Sequence, residues 1–235
     1  MQLFICPDLE EQGSEIIIKN NPELVLQLKK VLRAKPWYVF YVQYPDRRER
    51  FQVALTKYTD TDIFATLLKK EQCPYDLQEL WMVISFPNKQ EKLELIIQKL
   101  TEIWVSHLYL RRSERSQFAH LNENKLKRIQ KIMQEAVEQS RWWEMPKIDI
   151  LEDLHALRWK WNFAVFDLEK EEKSDLKQQN LLPSLWVIWP EGGLSPKDYE
   201  QFPQNYQVKS LGNTVLRMET AAIIGAWYLK RYKKI

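Results

Sequence analysis

From Leu80 onward the sequence switches repeatedly between two hydrophobic periods, and this alternation constrains the fold more than any other feature. Leu80–Phe86 is a nearly unbroken apolar run. Leu93, Ile96, Ile97, Leu100 and Ile103 then recur at helical spacing across Lys89–Ile103, and Val105–Leu110 reads as the next strand. Asn122–Ser140 reads as a long amphipathic helix. Phe163–Leu168, Leu185–Ile188 and Tyr206–Lys209 read as strands, and Arg217–Tyr232 as a closing helix. Buried-type strands separated by helices pair in parallel, so an α/β domain around a mostly parallel sheet is expected over residues 77–235. The charged stretch Glu169–Asn180 reads as a solvated loop.

Residues 1–72 follow a different pattern and are expected to form a small, mostly β domain. Ile16–Ile18 is a short apolar run. Leu24, Leu28, Val31 and Leu32 have helical spacing behind Asn21-Pro22, a cap followed by proline in the first turn. Tyr38–Tyr44 and Phe51–Lys57 are rich in aromatic and β-branched residues and flank a charged turn, the pattern of a hairpin. A last strand near Ile63–Leu68 ends before Glu71-Gln72-Cys73-Pro74, where the domain boundary is placed.

The chain has 235 residues, long enough to bury a core without covalent staples. Its longest apolar run, Ala221–Leu229, is about half of what a membrane span requires. The amino-terminal MQLFICPDLEE has no basic segment and reads as no signal peptide. Cys6 and Cys73 form no CxxC pair, and His107, His120 and His155 lack metal-ligand spacing. A cytoplasmic, metal-free, disulfide-free protein with no membrane association is therefore expected.

Three features bear on chemistry. Trp189-Pro190-Glu191-Gly192-Gly193-Leu194-Ser195 and Leu211-Gly212-Asn213-Thr214 each follow a strand, and ligands bind at the carboxyl ends of parallel strands. Neither loop is a GxGxxG or P-loop sequence, which disfavours dinucleotides and ATP. The plainer reading is a turn with Ser195-Pro196 opening a helix. Arg217 precedes the last helix, where a cation opposes the helix dipole; it reaches either a ligand or a carboxylate such as Glu219 or Glu191. Lys29–Lys57 carries eight basic and two acidic residues interleaved with Tyr38, Tyr41 and Tyr44. Arg111, Arg112, Arg115, Lys125, Lys127, Arg128 and Lys131 form a second cluster. Such clusters suit phosphate contact and base stacking, or are simply solvated faces.

Several strings together resemble the RsmE family, which methylates N3 of a uridine in 16S ribosomal RNA. Glu91–Glu102 resembles its first-helix signature. Arg112-Ser113-Glu114-Arg115-Ser116 and Glu135–Ser140 with Pro146 resemble its next two motifs. Pro190–Ser195 and Leu211–Ala221 resemble its two cofactor-loop motifs. The order and spacing agree over essentially the whole chain. The resemblance implies a PUA-like RNA-binding β-barrel followed by a SPOUT methyltransferase domain with a trefoil knot, an exception to the rule against threaded loops. It implies a homodimer acting in the cytoplasm on 16S rRNA of the small ribosomal subunit, without metal. S-adenosyl-L-methionine would be held by Ile188, Trp189, Pro190, Glu191, Gly192, Gly193, Leu211, Gly212, Asn213, Val215, Leu216 and Arg217. Arg217, Glu219 and Glu191 would be the catalytic candidates, and Lys29, Arg33, Lys35, Arg112 and Arg115 would grip RNA. The competing expectations are a catalytically impaired SPOUT-like RNA-binding or ribosome-assembly protein, and a SPOUT methyltransferase with another RNA target.

The chain departs from the family strings at three places, each with tryptophan where glycine is usual. Lys35-Pro36-Trp37 replaces a KPG-like string, Ile103-Trp104-Val105 replaces LGV, and Trp189-Pro190-Glu191-Gly192-Gly193 replaces GPEGG. Position 37 in a Pro-Xaa turn and position 104 after a helix both ask for a left-handed backbone. Only 5 glycines occur beside 10 tryptophans, where average usage of about 7% gives roughly 16 glycines. UGA codons decoded as glycine and printed as tryptophan would produce this pattern; UGG codons at 37, 104 and 189 would exclude it. With a true tryptophan at 189, the indole is expected either to fill cofactor space or to bend the loop, so that Trp189→Gly tightens cofactor binding at least about tenfold.

Overall fold

Six strands make up the sheet of the first unit: β1 (Leu3–Ile5), β2 (Leu9–Gln12), β3 (Glu15–Ile18), β4 (Val39–Gln43), β5 (Glu49–Tyr58) and β6 (Ile63–Gln72). The structure, a computed structural model, describes residues 1–75, 79–116, 121–157, 163–166, 185–204 and 206–232; Leu168, His120 and the expected loop Glu169–Asn180 lie outside them. The chain divides into two compact units, Met1–Tyr75 with Gln134–Met145, and Asp76–Met133 with Pro146–Ile235.

The first sheet runs in the order β1-β4-β5-β6-β3-β2, parallel at β1·β4 and antiparallel elsewhere. The hairpin expected around the charged turn is β4 and β5. Tyr44, just past β4, donates from its hydroxyl to the Leu9 carbonyl of β2 at 2.8 Å. In a flat sheet β2 would lie four strands from β4, roughly 19 Å away at about 4.8 Å per strand, so the sheet curls strongly. No ladder among the described residues joins β1 to β2. Among the described residues the expected β-barrel is seen as a curled sheet whose edge strands β1 and β2 are not paired with each other. Helix α1 (Pro22–Leu26) starts as its sequence predicts, with the Leu24 amide donating to Asn21 Oδ1 at 3.0 Å, and continues as a π-turn over Gln27–Val31. Its Leu24, Val25 and Leu28 share a core with Phe4, Ile16, Ile18, Phe40, Phe51 and Ile63.

The first unit also takes in Gln134–Met145, which a boundary near residue 72 does not include. The Ile5 amide donates to Glu138 Oε1 at 2.9 Å, and Arg50 Nη2 donates to the Arg141 carbonyl at 2.8 Å. The Arg50 guanidinium lies 4.1 Å from the centre of the Trp143 ring.

The second unit is built on six parallel strands: β7 (Trp81–Ser85), β8 (His107–Arg111), β9 (Lys147–Leu151), β10 (Phe163–Phe166), β11 (Leu185–Ile188) and β12 (Gln207–Lys209), in the order β12-β10-β11-β7-β8-β9. Its helices are α2 (Gln90–Ile103), α4 (Pro196–Glu200) and α5 (Met218–Tyr232), together with the part of α3 (Glu123–Ser140) that runs to Met133. This is the α/β arrangement expected from the alternating periods. Helices α2 and α5 pack together. Val83, Tyr109, Val165 and Val187 of the sheet form a core with Leu154, Leu194 and Phe202. Three edge strands escape periodicity: β1 and β2 have few residues to repeat, and β9 is mostly exposed and shows no apolar run. Trp37 and Trp104 both adopt the left-handed backbone, at φ +72° and +70°.

Candidate functional site

Every strand of the second sheet points the same way, so the loops after β11 and β12 leave from one edge. Only β10 separates those two strands. The first loop folds back at once: the Gly193 amide donates to the Pro190 carbonyl at 2.9 Å, and Gly193 takes a φ of +71° that side chains disfavour. The second loop turns at Gly212, with φ +124°, where Ser210 Oγ donates to the Gly212 carbonyl at 2.9 Å. Between the loops lies a cavity of about 710 Å³.

Nine of the twelve expected cofactor residues line it: Ile188, Trp189, Pro190, Glu191, Gly192, Gly193, Leu211, Val215 and Leu216. Gly212, Asn213 and Arg217 do not. Arg115, Phe166, Leu194, Tyr199, Thr214, Met218 and Ala221 also line the cavity and were not expected in this role.

Three remote segments tie the first loop down. Glu191 accepts from Lys92 Nζ of α2 at 2.6 Å and from the Asn88 amide at 3.1 Å. Partial burial pushes its carboxyl up, but these hydrogen bonds outweigh that and hold it below the usual glutamate range. Arg115 Nη1 donates to the Gly192 carbonyl at 2.8 Å, and a Cβ on Gly192 would stand 3.1 Å from Arg115 Cβ. Where the loop passes into α4, Ser195 and Asp198 form a reciprocal capping box. Asp198 Oδ1 also accepts from Arg111 Nη2 at 2.5 Å, with both side chains almost fully buried. Burial lowers the Arg111 pKa, the adjacent Asp198 opposes that shift, and Arg111 Nε and Nη1 have no partner.

The three catalytic candidates gather near α2. Lys92 is raised above the usual lysine range, first by its hydrogen bond to Glu191; the charge of Glu219 adds to this and that of Arg217 opposes it. Arg217 is exposed, and its carbonyl accepts from the Ala221 amide at 2.8 Å to open α5. Among the described residues Glu219 Oε2 is buried without a hydrogen-bond partner. Lys92 lies within the helix signature Glu91–Glu102, and nothing local marks a lysine whose partner is 99 positions away.

Trp189 turns its ring toward α4 while remaining part of the cavity wall. Its ring packs edge-on against Tyr199, with centroids 5.7 Å apart, and joins the apolar core beneath α4. The cavity stays open beside it. Its Nε1 is buried without a hydrogen-bond partner among the described residues.

Lys29, Arg33 and Lys35 are exposed in the first unit, and among the described residues none of them forms an ion pair. Arg112 is exposed in the second unit, whereas Arg115 belongs to the cavity wall. Within the second basic cluster, Arg128 pairs with Glu94 at 2.6 Å and Lys127 with Glu123 at 2.9 Å, the solvated-face reading. Among the described residues no group of three or more His, Cys, Asp or Glu could hold a metal, and no helix is long and apolar enough to cross a membrane.

Solved structures share this architecture. Ribosomal RNA small subunit methyltransferase E from Neisseria gonorrhoeae, bound to S-adenosyl methionine, superimposes with a TM-score of 0.82 at 21% identity, over 99% of this chain and 98% of its own. A Legionella pneumophila methyltransferase in complex with the same cofactor gives 0.81 at 20% identity over 99% and 98%. An rRNA-methyltransferase from Porphyromonas gingivalis gives 0.80 at 18% over 100% and 99%. At these identities the likeness speaks for the fold. No curated protein matches in sequence. The profile of the RNA methyltransferase domain, however, matches residues 75–229, well over half the chain. The chain therefore belongs to the RNA methyltransferase domain family.

Proposed function

We propose that the protein is an S-adenosylmethionine-dependent methyltransferase acting on N3 of a uridine in 16S rRNA of the small ribosomal subunit. The observation that carries this reading is the closure of two glycine-bearing loops, from strands separated by one neighbour, over a single cavity. A cavity of about 710 Å³ falls within the roughly 300–1,000 Å³ range of small-molecule sites. Its wall is largely apolar, and Gly193 and Gly212 hold backbone shapes that side chains resist. These features fit the cofactor.

Bound there, S-adenosylmethionine supplies an electrophilic methyl group on a sulfonium. Uracil N3 carries a proton and is a poor nucleophile until that proton leaves. In this proposal Arg217, exposed beside the second loop, stabilises the negative charge that develops on the uracil oxygens. Glu219, with one carboxylate oxygen unpartnered, suits the proton acceptor better than Glu191, which Lys92 and the Asn88 amide already occupy. The unpaired Lys29, Arg33 and Lys35 and the exposed Arg112 suit phosphate contacts.

The finer architecture belongs to the same proposal: a PUA-like first domain, a trefoil-knotted second domain, a cytoplasmic setting and a homodimer. Exposed apolar Val215, Ile224 and Trp227 on or next to α5 support a protein-covered face there. The packing of Trp189 against Tyr199, with the cavity open beside it, supports the active enzyme over the impaired-enzyme alternative.

The test incubates the purified chain with labelled S-adenosylmethionine and 30S subunits, naked 16S rRNA or tRNA, then identifies the modified nucleoside. Label in 3-methyluridine of 16S rRNA is expected. Label in tRNA would move the target, and cofactor binding without any transfer would favour the impaired reading.

A further inference from the structure

One wall of the cavity belongs to no motif. Phe166 is the last residue of β10, the strand between β11 and β12, so it stands between the two glycine loops. Ala164 pairs with Trp186 across β10 and β11, which puts Phe166 and Trp186 on one face of the sheet. Their rings stack with centroids 4.7 Å apart and planes 24° from parallel.

Helix α5 confines the same ring from another side. A Cβ built on Gly225 would fall 2.5 Å from Phe166 Cε2, 3.0 Å from Cζ and 3.2 Å from Cδ2. Carbon atoms in contact rest at about 3.5–4.0 Å, so only glycine leaves the ring where it is. Gly225 lies in the interior of α5, where glycine is the least favourable residue apart from proline. Its φ is not in the left-handed range, so the backbone does not require glycine; the phenyl ring does. Ala221, one turn earlier, lines the cavity beside Phe166.

We propose that Phe166 is the aromatic surface on which the purine of the bound cofactor rests, and that Gly225 is a positioning residue that keeps the ring against Trp186 and out of the ligand's space. The proposal rests on reading the cavity as the S-adenosylmethionine site. An aromatic face accepts a planar heterocycle by stacking. With Trp186 stacked on the ring, a methyl group at position 225 forces the ring out of its place in the cavity wall.

The test is calorimetric titration of S-adenosylmethionine into the full-length wild type, Gly225→Ala, Phe166→Leu and the double variant, with circular dichroism to establish folding. The wild type is expected to bind. Gly225→Ala is expected to bind at least about tenfold more weakly while remaining folded, and Phe166→Leu about fivefold more weakly. Leucine lacks the Cε2 and Cζ atoms that a 225 methyl group would strike. Adding Gly225→Ala to Phe166→Leu should therefore cost less than about twofold more. Gly225→Ala that binds like the wild type overturns the proposal. So does an equally large loss on both backgrounds, which would make Gly225 merely structural. If Gly225→Ala does not fold, Phe166→Leu decides alone, and unchanged affinity overturns the purine surface. A wild type that fails to bind overturns the cofactor reading itself, an outcome separate from these.

Discussion

Replacing Trp104 with glycine sets two opposing effects against each other. The residue ends α2 with φ +70° and ψ +66°, a left-handed conformation that costs a side-chain-bearing residue about 1–2 kcal/mol. Glycine removes that strain but returns about 0.5–1 kcal/mol through the freedom it gains in the unfolded chain. The indole, however, is only 1% exposed, and truncating a core tryptophan to alanine costs about 3–5 kcal/mol. The packing loss wins, and Trp104→Gly should destabilise the chain by roughly 2–4 kcal/mol, lowering Tm by about 5–15 °C at this size. Trp37 is the control: its φ is +72°, but it is 74% exposed. Trp37→Gly relieves the same strain with almost no packing loss and should stabilise by about 0.5–1 kcal/mol. Calorimetric melting of both variants beside the wild type is the assay. A Trp104→Gly chain that melts at or above the wild type would refute the packing argument. It would show a site built for glycine and overfilled by the indole, as the LGV pattern and a UGA codon would have it.

Arg217→Ala is expected to lower the methylation rate far more than cofactor affinity, measured by single-turnover kinetics and calorimetry; equal losses would reduce Arg217 to a binding residue. Asp198→Asn leaves the buried Arg111 guanidinium without its counter-charge and should cost about 3–5 kcal/mol in urea unfolding, whereas replacing both partners by apolar residues of similar volume should be near neutral. Burial raises the Glu138 carboxyl above the usual glutamate range, while hydrogen bonds from the Ile5 amide and Gln134 partly restrain it. The folded chain therefore holds that proton more tightly than the unfolded chain. Its contribution is fully present below the ordinary glutamate pKa and is lost as pH rises through the raised value. Glu138→Gln should flatten this part of the urea midpoint against pH, and an unchanged slope would show that another group titrates.

The sequence by itself determined the elements whose burial repeats along their own length. The strands β7 and β11 are nearly continuous apolar runs because their residues are buried on both faces, and α2 shows its buried face in Leu93, Ile96, Ile97 and Leu100. Backbone demands were equally local: a Pro-Xaa turn and a helix end asked for left-handed residues at 37 and 104, and both positions adopt that conformation. The two loop motifs were legible as strings, but their meeting at one cavity was not. That depended on β11 and β12 flanking β10, a strand order that no periodicity encodes. Tertiary structure alone decided the curl of the first sheet, read from Tyr44 reaching Leu9, and the addition of Gln134–Met145 to its unit. It alone brought Lys92 to Glu191, Arg111 to Asp198 and Arg115 to Gly192, partners 99, 87 and 77 positions apart. A hydrophobic period records whether a residue faces the core and is written into its near neighbours. Which charge, ring or carbonyl it meets there depends on how distant segments pack, and leaves no mark within one turn or one strand.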